Sequence, residues 1–205
     1  MYEFTVPMAL FDFVPVILFA VSGVLLQRDL YNKMPKYAFA CFAAGTVNIF
    51  MAGFLKALWK LLYALGACDF AVFNTMFLPL QSLGFLLAGL GIVIMFFPKK
   101  KAALAVAAPP VFKGTFVFIG MMVAGLGAVC ACLSVVAARM KKKGLIVVFA
   151  LCFVVYMGMG YLGSRDSSSA AANWLEQGVN TLGQLLLLLG VGSLHKAGLR
   201  DFKLS

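Results

Sequence analysis

Long apolar runs, separated by short polar or basic stretches, divide this chain into six. They predict helices at about 8–27, 37–55, 69–97, 111–138, 145–162 and 170–194, here helix 1 to helix 6. Crossing a bilayer core takes roughly 20 apolar helical residues, so the pattern reads as an all-α polytopic integral membrane protein with six transmembrane helices. The breaks between runs follow from local chemistry. Asp69 is a natural N-cap for helix 3. Pro79 removes a backbone hydrogen bond a turn or two later, which predicts a kink near Gln81 and Ser82. The run Pro98-Lys99-Lys100-Lys101 ends the helix with the positive charge its dipole prefers. The segment AALAVAAPP (102–110) is apolar but too short to span, and Pro109-Pro110 separates it from helix 4.

Polar residues inside the runs sharpen the expectations. Asp12, in the first turns of helix 1, reads as an interfacial residue; a buried functional carboxylate is the alternative. After helix 2, in LKALWKLLYAL, Lys56 and Lys60 share a face, and Trp59 and Tyr63 also share a face. This reads as a helix end among headgroups, with lysines snorkelling and aromatics in the interfacial belt; an anion clamp is the sharper alternative. His195 closes helix 6 and is expected to meet water. Helix 4 carries Gly120, Ala124, Ala128 and Cys132 every four positions, a ladder expected to pack on another helix and to support a homo-oligomer.

Two stretches echo each other. Asn74–Ile92 aligns with Asn173–Val191, matching Asn74 to Asn173, Gly84 to Gly183 and Gly91 to Gly190, with Gln81 opposite Asn180. Looser echoes pair Gly23 with Gly125 and Cys41-Phe42 with Cys152-Phe153. An internal repeat outranks other fold evidence, so the chain divides into two three-helix units, 1–101 and 102–205. An odd number of crossings per unit inverts the second, provided no crossing is missed, and predicts a 3+3 inverted repeat. In that topology the basic residues balance across the two faces, and the positive-inside rule gives no clear orientation. Both termini are then placed in the cytoplasm, because the dense Arg139–Lys143 loop falls there.

Composition excludes several classes. Hydrophobic residues make up 63% of the chain and charged residues 12%, against about 25% charged in soluble domains. The net charge of +10 resides in loops beside apolar spans, where it meets lipid phosphates rather than nucleic acid. The start, MYEFTVPMAL, lacks a basic n-region, so no cleavable signal peptide is expected. The five cysteines form no C-x-x-C and read as packing residues; neither a metal site nor a cofactor is expected.

Candidate chemistry concentrates on helix 6. Glu176, Asn180 and Gln184 share a face at about 100° per residue, and Asn173 and Gln177 extend it. Asn74 and Gln81 make a shorter stripe on helix 3. Such groups avoid lipid and turn toward a protein interior or a water-filled cavity. Glu176 is the key residue: an acid among amides can carry a proton, bind a cation or pair with a cationic solute. Its rival reading is a capping box, with Asn173 as N-cap and Glu176 three residues on. No nucleophile elbow, zinc-hydrolase or phosphate-loop motif is present, which argues against an enzyme. The pattern points to a transporter or channel-like protein for a small polar or ionic solute, with Glu176, Asn180, Gln184, Asn74 and Gln81 lining the path. An accessory subunit or receptor is the first alternative, and a small lipid-modifying enzyme the second.

Overall fold

The computed structural model describes residues 3–97, 115–162 and 169–203. The Lys99–Lys101 run, the 102–110 segment, Lys113 and the Gly163–Ser168 loop with Arg165 lie outside them, as does the 101/102 division between the expected units. The helices are α1 (Val6–Phe11), α2 (Phe13–Leu30), α3 (Lys36–Ala64), α4 (Ala71–Thr75), α5 (Phe77–Phe96), α6 (Thr115–Arg139), α7 (Gly144–Leu162) and α8 (Ala170–Lys196). With α1 leading into α2 and α4 into α5, they make six rods in an all-α, multi-pass integral membrane protein. Five rods are long and apolar enough to cross a bilayer; α7 is the short one, apolar over Gly144–Met159.

Several boundaries differ from expectation, each for a local reason. The LKALWKLLYAL stretch continues α3 without a break, so helix 2 reaches Ala64 rather than residue 55. Asp69 is not a cap: its carboxylate accepts a hydrogen bond from the Trp59 indole at 2.8 Å, and Phe70 takes the N-cap position of α4. The break in helix 3 falls at Met76, ahead of Gln81. Pro79 therefore lies in the first turn of α5, where its missing N–H costs little. Ser169 caps α8, accepting from the Ala172 N–H, so helix 6 begins a turn before Asn173. The Asn173–Glu176 capping box does not form, and both residues lie buried inside the helix.

Each rod packs on the next in the chain and α8 packs on α2, closing a ring. The contacts fix the sense of each rod. At one end Asp12 meets Lys60, Lys60 meets Asn173, and Glu3 meets the α8 N-terminus. At the other, Asp29 meets His195, and Lys33 donates to the Arg200 and Phe202 carbonyls. Thus α2 and α8 run in the same direction. So do α5 and α6: Gly125 lies against Phe85, Gly89 against Gly125 and Ala128, and Arg139 over the Phe96 ring. The two halves therefore both run up, down, up. This corrects the expected inversion. Among the described residues, α5 ends at the Asp29 end and α6 begins at the Asp12 end. It also corrects the placement of both termini on one side, since Glu3 and Phe202 sit at opposite ends.

Glycines set the tightest contacts, and they recur between the halves. Gly84 lies against Gly45 and Ile49, and Gly91 against Ala38 and Phe42. Their partners in the echo, Gly183 and Gly190, lie against Val155 and Tyr156, and against Phe149. One step in numbering carries Phe42 to Phe149, Thr46 to Phe153 and Ile49 to Tyr156. In the same register Gly23, which faces Thr46, corresponds to Gly127, which faces Phe153. The looser pairings of Gly23 with Gly125 and Cys41 with Cys152 are thus out of register. The helix 4 ladder is met only in part: Ala128 lies against Gly89 of α5. Gly120 and Ala124 are exposed and a Cβ on Gly120 would meet nothing, whereas Gly125 makes the close approach to α5.

Candidate functional site

The Asp29 half of the ring is dry. Phe42, Ile92, Leu133, Val136, Phe149, Val191 and Leu194 are fully buried there. The Asp12 half holds a cavity of about 320 Å³, within the size range of small-ligand pockets. All five residues singled out from sequence line it: Asn74 and Gln81 from α4 and α5, and Glu176, Asn180 and Gln184 from α8. The α8 stripe from 176 to 184 covers about 12 Å along the axis. Apolar walls come from Val16 and Phe19 of α2, Ile49 and Phe50 of α3, Met122 and Leu126 of α6, and Tyr156 of α7.

The same cavity takes in three charged residues expected at the interface. Lys60 does not snorkel. It is 4% exposed, its ammonium lies 2.8 Å from the Asp12 carboxylate, and it donates to the Asn173 side-chain oxygen at 3.3 Å. The Phe4 ring lies 5.2 Å from that ammonium. Each partner offsets part of the cost of taking the other out of water, so Asp12 and Lys60 clamp the start of α2 to α3 and, through Asn173, to α8. Lys56 also lines the cavity, with its ammonium 4.2 Å from the centre of the Phe77 ring. It makes no hydrogen bond or ion pair with another described residue, and neither does Glu176, which is 7% exposed.

Amides deepen the polar character. Gln177 is 2% exposed, and both its side-chain oxygen and nitrogen lack a hydrogen-bond partner among the described residues. The Gln184 side-chain oxygen is likewise unmatched among the described residues. An unmatched buried polar group costs on the order of 1–3 kcal/mol. Concentrating several around one cavity stabilises the fold only if a polar guest or water satisfies them in use.

Sequence reasoning missed the second polar cluster. His195 Nδ1 lies 2.8 and 3.1 Å from the two Asp29 carboxylate oxygens, and the Asp29 side chain is fully buried. His195 thus ties the α8 end to the α2 end rather than simply meeting water. The visible signal was an acid and a histidine at the ends of the first and last spans; their adjacency required the ring to close. Among the described residues no three His, Cys, Asp or Glu side chains gather as a metal site. No family model, curated protein or solved structure matches the chain.

Proposed function

We propose that this protein is a transporter or channel-like carrier that moves a small polar or ionic solute through the cavity beside α5 and α8. The observation that carries the reading is that Gln177 and the Gln184 side-chain oxygen, buried on α8 and lining one cavity between apolar walls, find no hydrogen-bond partner among the described residues. Lipid cannot satisfy such groups. The dry half toward Asp29 acts as the barrier that must rearrange to complete passage, as in alternating access.

The reading includes a duplication of the same sense: two three-helix halves related by rotation about the bundle axis, in place of an inverted pair. It is supported by the matched contacts of Gly84 with Gly183, Gly91 with Gly190 and Gly23 with Gly127. It also supports an orientation. Arg28, Lys33, Lys36, Arg139, Lys141–Lys143, Lys196, Arg200 and Lys203 all belong to loops or helix ends at the Asp29 end. Among the described residues the loop and helix-end charges thus favour the Asp29 end, which supports an orientation with that end in the cytoplasm and the cavity toward the opposite face.

The test is uptake into liposomes holding the purified protein, using a panel of labelled amino acids, sugars and inorganic ions. At least one solute should enter saturably. Gln184→Leu and Glu176→Gln should each cut that flux tenfold or more while leaving thermal unfolding close to the parent. Flux that ignores both substitutions contradicts the proposed path.

A further inference from the structure

The charges around the cavity do not cancel locally. Asp12 and Lys60 neutralise each other at 2.8 Å. What remains is one ammonium, Lys56, and one carboxylate, Glu176, both on the cavity wall and neither in an ion pair with a described residue. A guest with a single charge would match one of them and leave the other facing it unpaired in a poorly hydrated site, which is expensive. A neutral guest would leave both. A guest carrying both signs matches both, with the Gln177 amide and the Gln184 side-chain oxygen available to its remaining polar atoms.

Resting on the reading of the cavity as a solute site, we infer that its ligand is a small zwitterion of the amino-acid type, with its carboxylate held by Lys56 and its ammonium by Glu176. The cavity volume of about 320 Å³ suits a small molecule of this class. The apolar wall from Val16, Phe19 and Ile49 would take its side chain.

The experiment is equilibrium binding to the purified full chain in detergent, with labelled L-alanine, L-leucine and L-glutamine, competed by propionate and by ethylamine. These competitors carry one charge each on a similar carbon frame. The parent should bind at least one amino acid saturably, and propionate and ethylamine should compete at least tenfold more weakly. In Lys56→Met the amino-acid affinity should fall tenfold or more and ethylamine should become comparable to the amino acid. In Glu176→Gln the same loss should occur, with propionate gaining instead. The inference is overturned if propionate or ethylamine matches the amino acids on the parent, if no amino acid binds, or if either variant binds like the parent. The parent competition needs no variant to fold. Binding without flux into liposomes would overturn the transport reading and leave the ligand class standing. Flux of a singly charged solute through the cavity would do the reverse.

Discussion

Lys60 shows what a residue's spacing can and cannot tell. Its place four residues after Lys56, beside Trp59, was legible, and so was the choice between headgroup contact and an anion clamp. The outcome turned on Asp12, 48 positions earlier in the numbering, which meets it across the bundle at 2.8 Å. No local pattern encodes such a contact. Removing one member of a buried pair strands the other, at roughly 3–5 kcal/mol, whereas replacing both with apolar residues is often close to neutral. Lys60→Met should therefore lower the unfolding temperature in detergent sharply, and Lys60→Met with Asp12→Leu should recover most of the loss. A single variant as stable as the double would contradict the clamp. At the other end, His195→Ala leaves the buried Asp29 carboxylate without its imidazole partner. A loss on the order of 1–3 kcal/mol is expected, read by chemical denaturation. An unchanged midpoint would mean the pair contributes nothing. The five site residues were legible because a polar stripe in an apolar helix has few places to go; Lys56 was legible as a charge but not as part of the site.

At the scale of elements, the existence of the six rods followed from apolar run length alone, because the bilayer imposes that length. Their ends were harder. The cap of α8 fell on Ser169, in a polar run where several residues could cap, and this moved Glu176 from a wet first turn into the helix interior. Small residues were also legible as a class but not by face. The ladder at Gly120 and Ala124 points outward, while Gly125 sits where an added Cβ would fall on the Phe85 backbone and within 2.5 Å of the Leu86 nitrogen. Backbone cannot yield as a flexible side chain can. Gly125→Ala should therefore destabilise by roughly 1–3 kcal/mol, the usual range for overpacking. Gly120→Ala, at an open helical site, should be neutral or stabilising by about 0.5–1 kcal/mol. Thermal unfolding of the two variants side by side checks this, and equal effects would contradict the α5–α6 contact.

At the scale of the whole molecule, the echo between the Asn74 and Asn173 stretches is matched by similar packing partners at Gly84 and Gly183 and at Gly91 and Gly190. Its sense was not legible. The inversion rested on counting crossings, and the count depends on how the chain passes from α5 to α6, where the local composition offers only a short apolar segment and two prolines. The parallel course of α5 and α6 supports the same-sense reading, with the two ends of the described chain at opposite ends of the bundle. In sealed vesicles, cysteines placed at Glu3 and at Lys203 should therefore react with an impermeant thiol reagent from opposite sides; labelling from the same side would contradict the topology. The central claim, that the α8 stripe lines a path used from both faces, can be tested without knowing the solute. A single cysteine at Asn180, with the five native cysteines replaced, is exposed to the same reagent from each side in turn. The account predicts slow labelling from both sides, with protection by a bound solute. Labelling from the Asp12 side alone, however long the exposure, would contradict transport and leave the cavity as a binding site.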